Sequence, residues 1–283
     1  MKNKLIVAII FLLTVMLHCE NKNERKNKMN FVSGIKTISN IDLNKLKNKK
    51  IYFGHQSVGY NILDGINDIV KENKLEGFRI VETNNIEDFN KPIFGHSKNG
   101  KNTDPISKVD TFVNSINNGL GKKLNIAFFK LCYVDIYSNS DVDSIFKYYQ
   151  KNMKELKNKF PKVKFIHFTV PITTHKTLGL KDKIKDFLKS IIGKETYQDT
   201  IKKENIKRKY YNELIRSSYK KNEIFDLAEI ESINPNGNKE LLIFNGKQYE
   251  SLVPDYTNDG GHLNELGRST VANAFLNYLT KMD

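Results

Sequence analysis

The chain has 283 residues, 39% of them hydrophobic, and a formal net charge of +14. This length accommodates one sizeable α/β core and is short for two, so we expect a single domain. The 46 lysines and arginines are spread along the entire sequence, which argues against a nucleic-acid-binding patch, and the presence of only two cysteines excludes a disulfide-rich class.

The first residues have the pattern of an export signal. Lys2 and Lys4 precede an apolar run over residues 5–17, and the sequence becomes strongly polar at Glu20. An apolar run of about thirteen residues is shorter than the roughly twenty that a membrane-spanning helix needs. The pattern therefore favours a cleaved signal peptide over residues 1–18, with a retained anchor as the alternative.

Cys19 stands where the apolar run stops, and it resembles the lipid-modified cysteine of bacterial lipoproteins. His18 departs from that pattern, which has a small residue there; the alternative is a cysteine at the end of an ordinary secretory signal. Residues 20–28 contain no apolar side chain, so we expect residues 19–45 to form a flexible tether. The resemblance implies lipidation at Cys19 and an exported, membrane-tethered protein of a bacterial envelope, on the periplasmic side or the cell surface. Cys132 then has no partner for a disulfide.

The remaining sequence, residues 46–283, alternates between strand and helix patterns. Short β-branched or aromatic runs predict strands at 50–53, 78–82, 125–131, 164–169 and 223–227. Helical patterns cover 60–71, 105–117, 142–160, 181–192, 199–221 and 264–279. Such alternation predicts a flavodoxin-like three-layer α/β sandwich, with a central five-stranded parallel sheet flanked by helices. The turn signal Asn245-Gly246 predicts a β-hairpin from runs 241–244 and 249–253, placed to form a rim of a cleft.

Ser57 follows the first predicted strand and immediately precedes a helix. Open parallel sheets bind ligands at the carboxyl ends of their strands, and the N–H groups of a helix N-terminus can receive a developing oxyanion. Gly54 and Gly59 allow a tight turn around the serine. This pattern fits a nucleophile, and it equally fits a serine that caps the following helix.

Asp259 and His262 lie in a Gly-Gly turn just before the last predicted helix. A serine hydroxyl needs a base to accept its proton, and a histidine base needs a carboxylate to fix its tautomer. An Asp-x-x-His pair also fits a metal site or a capped turn, but the sequence nearby offers no cluster that completes a metal set. We therefore expect no metal and no cofactor.

These two blocks, in this order, resemble the SGNH (GDSL-like) hydrolase superfamily over about residues 50–279. The resemblance implies that Ser57 is the nucleophile, His262 the general base and Asp259 its orienting partner. The first block departs from Gly-Asp-Ser, because Gly54-His55-Gln56-Ser57 has one more residue and no aspartate. His55 is a rival base, but its position two residues before Ser57 favours a role in shaping the turn.

The oxyanion residues of the family do not stand out in the middle of the chain. Gly100 and Asn102, in the predicted loop 94–102, are candidates for contacts to the substrate carbonyl. After the third predicted strand no asparagine occurs where the family has one, and Lys130 or Tyr133 are the candidate substitutes. The loss of one oxyanion donor costs about 100- to 1000-fold in rate, so this departure bears on activity.

The resemblance and the export signal together imply a serine ester hydrolase that acts on an O-acylated carbohydrate or another small ester, as a carbohydrate O-acyl or O-acetyl esterase. Two alternatives remain open: a non-catalytic lipoprotein of this fold that binds envelope carbohydrate, and an O-acyltransferase. The expected partners are the substrate and, through lipid on Cys19, the membrane; no nucleic acid is expected.

Overall fold

The computed structural model describes residues 38–176, 180–194 and 196–282. The predicted signal peptide over 1–18, Cys19 and most of the predicted tether lie outside the described residues. In the part of the chain that is described, no helix is long and apolar enough to cross a membrane.

A parallel sheet forms the centre of the molecule. Within the described residues it has six strands, in the order β2-β3-β1-β4-β5-β6. These are β1 Lys50–His55, β2 Ile80–Glu82, β3 Ile93–Lys98, β4 Ile126–Phe129, β5 Lys164–Phe168 and β6 Ile224–Phe225. Without the short edge strand β2, the order is the flavodoxin-like 2-1-3-4-5. The predicted three-layer fold is confirmed, with six strands instead of five.

Helices cover both faces of the sheet, and each face has its own apolar core. On one face lie α1 Asn40–Leu46, α2 Val58–Glu72, α7 Leu227–Ser232 and α8 Glu265–Leu279; on the other lie α3 Pro105–Asn117, α4 Val142–Lys159 and α6 Tyr197–Ser218; α5 Leu180–Ile191 precedes α6. The helix predicted at 105–117 is confirmed at both ends, with a proline in its first turn and Asp104 accepting the N–H of Ser107.

One assignment made from the sequence is wrong, and one strand is shorter than predicted. The segment predicted as a loop over 94–102 contains β3, which pairs with β1 along its full length. Gly95 and the polar residues that follow it mask the strand pattern. The glycine is required by packing, because a Cβ there would lie 2.3 Å from Cζ of Phe89. The strand predicted at 78–82 is confirmed, as the short edge strand β2 at Ile80–Glu82.

The folded domain also begins before residue 46, the boundary predicted from the sequence. Ser39 caps α1 by accepting the N–H of Asp42, and Leu43 and Leu46 are fully buried in the same core as α8. Two leucines three residues apart suffice to anchor this helix, so the predicted tether does not extend to residue 45.

The predicted hairpin is present as β7 Leu241–Phe244 and β8 Lys247–Glu250. Asn245 and Gly246 both have positive φ, as a type I′ turn requires. The second strand begins two residues earlier than predicted, since Lys247 and Gln248 pair with Phe244 and Ile243.

Candidate active site

Ser57 occupies a strained turn between β1 and α2. Its φ of 55° and ψ of −120° lie in a region that residues with a Cβ rarely adopt. Its hydroxyl makes no capping bond to α2; instead Oγ lies 2.7 Å from Nε2 of His262. The side chain of Ser57 therefore faces His262 and does not cap the helix.

Asp259 completes a hydrogen-bonded chain with His262. Its Oδ2 lies 2.6 Å from Nδ1 of His262, while Oδ1 accepts the backbone N–H groups of Gly261, at 3.0 Å, and His262, at 2.8 Å. Burial raises the pKa of the carboxyl, but these N–H groups and the imidazole outweigh it and lower the pKa to about 2. The ionised carboxylate therefore favours the tautomer of His262 with a proton on Nδ1, in which Nε2 can accept a hydrogen bond from Ser57.

The packing of α2 against α8 brings the two motifs together. At Gly65 the helices approach so closely that a Cβ would lie 2.4 Å from the carbonyl oxygen of Arg268. The guanidinium of Arg268 pairs with Asp68 at 2.8 Å, and Oδ1 of Asn61 accepts the N–H of Leu263 at 3.1 Å. These contacts show that the two helices run parallel, so their N-termini lie side by side. Ser57 stands just before the first N-terminus and His262 just before the second, and the two residues are therefore neighbours.

His55 does not act on Ser57. It is fully buried, and its Nε2 lies 3.1 Å from Nδ1 of His96. Burial lowers the pKa of His55 to about 2, so the ring is neutral. A Cβ at Gly59 would lie 2.4 Å from the Cβ of His55, which shows how closely this histidine packs under the start of α2.

Gly100, which the sequence suggests as a candidate for contacts to the substrate carbonyl, lies beside the turn that contains Ser57. The side-chain amide of Gln56 donates to the carbonyls of Asn99, at 3.2 Å, and of Gly100. Gly100 has a φ of 62°, and a Cβ would lie 2.6 Å from the backbone of Lys108. Within the described residues, the backbone N–H groups of Ser57 and Gly100 have no hydrogen-bond acceptor, so both are available to a ligand.

The side chains of Asn102, which is exposed, and of Lys130, which is buried, contact other residues of the chain instead of the substrate carbonyl predicted for them. Oδ1 of Asn102 accepts a bond from Nζ of Lys108 at 2.9 Å. Lys130 is 1% exposed; its ammonium donates to the carbonyl of Leu131 at 3.3 Å and lies 3.6 Å from Sγ of Cys132. Burial lowers the pKa of Lys130. Its candidacy as a substrate-facing donor is wrong, because an ammonium enclosed in this way cannot reach a ligand.

Tyr133 is the candidate that faces the triad. Its ring centroid lies 5.6 Å from that of His262, and a Cβ at Gly261 would lie 2.8 Å from the ring. Burial raises the pKa of Tyr133 to about 12, so its hydroxyl is a neutral donor. Arg208 holds Tyr133 in place. Its Nε donates to the carbonyl of Tyr133 at 2.9 Å, and its guanidinium lies 5.7 Å from the centroid of the Tyr133 ring.

A buried ion pair that sequence reasoning missed anchors the turn after β4. Nζ of Lys108 lies 2.6 Å from Oδ2 of Asp135, and both side chains are almost completely buried. Asp135 also accepts the N–H groups of Cys132, at 2.6 Å, and Thr103, at 2.9 Å. The sequence does contain a signal for this ion pair: Lys108 lies on the apolar face of α3, and a lysine buried there needs a partner of opposite charge.

A cleft of about 390 Å³ opens beside the catalytic loop 259–261. Tyr133 and the paired side chains of Glu204 and Arg208 contribute to its wall, while Tyr137 and Tyr197 stand at its rim, 44% and 42% exposed. None of the hairpin residues lines this cleft. Among the described residues, no group of histidine, cysteine and carboxylate side chains is arranged to hold a metal ion.

No protein-family model matches the chain, and no curated protein matches its sequence. Among solved structures, the periplasmic domain of a lipopolysaccharide acetyltransferase from Salmonella ser. Paratyphi A is 14% identical, covers 92% of this chain and 96% of its own, and has a TM-score of 0.44. A protein described as a GDSL-like lipase from Parabacteroides merdae is 10% identical, with coverages of 82% and 95% and a TM-score of 0.43.

A third structure, described as a lipolytic protein of the G-D-S-L family from Desulfitobacterium hafniense, is 11% identical, with coverages of 82% and 99% and a TM-score of 0.41. At such identities the likeness concerns the fold alone. The chain itself has the flavodoxin-like sheet order that the alternation of strands and helices predicted, and its two motifs meet in one serine–histidine–aspartate arrangement.

Proposed function

We propose that this chain is a serine esterase of the SGNH type that removes acyl groups, acetyl above all, from O-acylated carbohydrate. The observation that carries the proposal is the continuous chain of short contacts from Oγ of Ser57 to His262, at 2.7 Å, and from His262 to Asp259, at 2.6 Å. A strained serine that faces a histidine and not its own helix is typical of a nucleophile.

The reaction follows from this geometry. As Oγ of Ser57 attacks the ester carbonyl carbon, its proton passes to Nε2 of His262, and the carbonyl oxygen becomes negative. Collapse of this intermediate breaks the bond to the sugar oxygen, which leaves with the proton from His262, and an acyl-serine remains. A water molecule then gives its proton to His262, attacks the acyl carbon and releases the carboxylic acid and Ser57. Asp259 stays ionised throughout.

In our proposal three donors serve the oxyanion. The N–H groups of Ser57 and Gly100 have no acceptor within the described residues, and Gln56 ties their two loops together. In our proposal the hydroxyl of Tyr133 replaces the asparagine amide of the family, because Tyr133 lines the cleft beside His262 while Lys130 is enclosed. Preorganised donors of this kind lower the barrier by several kcal/mol in other hydrolases, about 3–4 for one donor.

The cleft supports a carbohydrate as the leaving group. The exposed rings of Tyr137 and Tyr197 offer apolar faces with hydroxyl edges, and Glu204 adds an acceptor within the same cleft. Sugar rings present both C–H faces and hydroxyl groups, which such a wall can contact together. Lipidation at Cys19 and export to a bacterial envelope, where O-acylated polymers occur, remain part of the proposal on the strength of the sequence.

The test is hydrolysis of a chromogenic acetate by the purified full-length chain and by Ser57→Ala and His262→Ala. We expect both variants to lose activity by about 10⁴-fold or more while circular dichroism shows an intact fold. His175→Ala serves as the control, because this histidine bonds to Ser251 outside the triad and we expect full activity.

If the wild type shows no turnover above that of Ser57→Ala, on the chromogenic acetate and on O-acetylated polysaccharides alike, the esterase is rejected and the carbohydrate-binding alternative gains support. The assay also separates hydrolysis from transfer. Loss of chromogenic ester with acetyl appearing on an added oligosaccharide, and no free acetate, identifies an O-acyltransferase with the same acyl-serine.

A further inference from the structure

A second concave region lies on the flank of the molecule that does not contain the triad. It has a volume of about 690 Å³ and is formed by one face of α4, the strand β5 and the segment from the end of α6 to the start of β6. That segment leads into the amino end of β6, whereas the triad stands at the carboxyl edge of the sheet. The two sites are therefore separate.

The rim of this region, here called the basic groove, is lined by five exposed lysines: Lys147, Lys151, Lys154, Lys157 and Lys220. Four of them recur along α4 at intervals of four, three and three residues, which places them on one face of the helix over about 15 Å. The groove lining that is described contains a single carboxylate, Glu223, which is paired with Lys157 at 2.5 Å. The groove is therefore strongly positive.

The floor of the groove is aromatic and contains an unpartnered hydroxyl. His167 and Tyr219 stack with ring centroids 3.4 Å apart, and Nδ1 of His167 lies 2.7 Å from the hydroxyl of Tyr149. The hydroxyl of Tyr219 is buried and has no hydrogen-bond partner within the described residues. A buried polar group without a partner is rare in proteins and indicates a site where a ligand atom or water belongs.

We propose that the basic groove binds a segment of an anionic polysaccharide, with its acid groups on the lysines and a sugar hydroxyl on Tyr219. The row of lysines matches a polymer whose negative charges repeat along its length. The groove is concave, so a flat membrane surface cannot reach its floor. His167 and Tyr219 cover one face of each other's ring, which leaves less aromatic surface for a nucleic-acid base to stack on.

This binding is independent of the proposed esterase activity, and it is tested without substrate turnover. The probe is oligomeric polygalacturonate, titrated calorimetrically into the full-length protein at about 0.15 M ionic strength. We expect the double variant K151E/K154E to weaken binding by about tenfold or more. K91E/K247E is the matched control: it makes the same change in net charge at two exposed lysines away from the groove, and we expect less than about a twofold effect.

A third variant keeps the charge and removes the hydroxyl. We expect Tyr219→Phe to weaken binding by about three- to tenfold and to leave the thermal midpoint of unfolding unchanged or raised, since the lost hydroxyl had no protein partner.

Three results would overturn the proposal: no binding of the probe by the wild type, equal losses in the groove and control variants, or tighter binding of a single-stranded oligonucleotide or of anionic vesicles than of the polysaccharide.

Discussion

The two ends of the folded domain and its middle build the candidate active site in different ways. Asp259 and His262 lie three residues apart in one loop, and Ser57, 205 positions before His262, meets them through the packing of a single helix pair. Gly100 and Tyr133 stand in segments held by residues far away in sequence, such as Arg208, whose Nε reaches the carbonyl of Tyr133 over 75 positions.

This difference separates chemistry from positioning. In the proposed mechanism the end loops contain the groups that exchange protons, and the reaction dictates their residue types. The middle segments have to present hydrogen-bond donors at the right place, and many side chains can do that if the backbone is held firmly. A departure from a family pattern is therefore tolerated in the middle, where Tyr133 lines the cleft and the chain has no asparagine after β4.

The largest effect is expected when the end loops are altered. In Asp259→Asn an amide faces Nδ1 of His262 and disfavours the tautomer that leaves Nε2 free, so we expect kcat to fall by about 10³- to 10⁴-fold with little change in KM. The change leaves the fold in place, because the side chain of Asp259 is 56% exposed. Steady-state kinetics on the chromogenic acetate provide the measurement.

Asp255→Asn is the matched control for this substitution, since Asp255 is an exposed carboxylate in the same loop region. We expect its kcat to stay within about twofold of the wild type. If Asp259→Asn keeps more than about a tenth of the wild-type kcat, the carboxylate does not orient the base, and the catalytic role of the end loops has to be assigned differently.

The end loops can be recognised in the sequence because each of their motifs is a short, continuous pattern of residues. A glycine-flanked serine after a strand and an Asp-x-x-His before a helix are legible as patterns, and the structure brings Ser57, His262 and Asp259 together. The residues in the middle of the chain that contribute to the site cannot be recognised from such patterns. Nothing in the local pattern around Lys130 indicates that its ammonium is enclosed, and nothing around Arg208 indicates that it supports Tyr133. Both facts arise from tertiary packing.

The fold shows the same division. Helices with a clear apolar face, such as α3, are predicted to the residue. The strand β3 is missed because Gly95 and the polar residues after it break the strand pattern, and the reason for the glycine is the ring of Phe89 from a different segment. Strand propensity describes the preference of a residue by itself, whereas at Gly95 the packing of a neighbouring side chain determines which residue fits the strand.

An intermediate effect is expected at the middle of the site. Removal of the hydroxyl in Tyr133→Phe takes away one proposed oxyanion donor, and we expect kcat to fall by about 100-fold with KM nearly unchanged. Tyr137→Phe is the matched control, because its hydroxyl lies at the exposed rim of the same cleft. We expect at most about a threefold effect there. Equal effects in the two variants would show that Tyr133 contributes to the cleft wall and not to the oxyanion.

The last prediction concerns stability, not rate, and the buried surroundings of the middle segments. Glu231 is completely buried on α7; its Oε2 accepts the N–H of Ile172 at 2.9 Å, and Oε1 has no partner within the described residues. Burial raises the pKa of Glu231 to about 8, although the charges of Lys130 and Arg208 act in the opposite direction. In the folded protein the carboxyl is therefore protonated at neutral pH.

A carboxyl of an unfolded chain titrates near pH 4.3, so the folded state binds an extra proton between about pH 4.3 and 8. The contribution of this proton to stability is complete below that window and is lost as the pH rises through it, by at most about 1.4 kcal/mol for each pH unit. Glu231→Gln replaces the protonated carboxyl by a neutral group of the same shape and should remove this dependence of stability on pH. Glu155→Gln, at an exposed position of α4, should preserve it.

Denaturant unfolding at pH 5, 6.5 and 8, in steps of about 1.5 pH units, compares the stability of the two variants with that of the wild type. An unchanged slope in Glu231→Gln would mean that Lys130 and Arg208 hold the carboxylate ionised. The middle of the site would then rest on buried ion pairs throughout, as it does at Lys108 and Asp135.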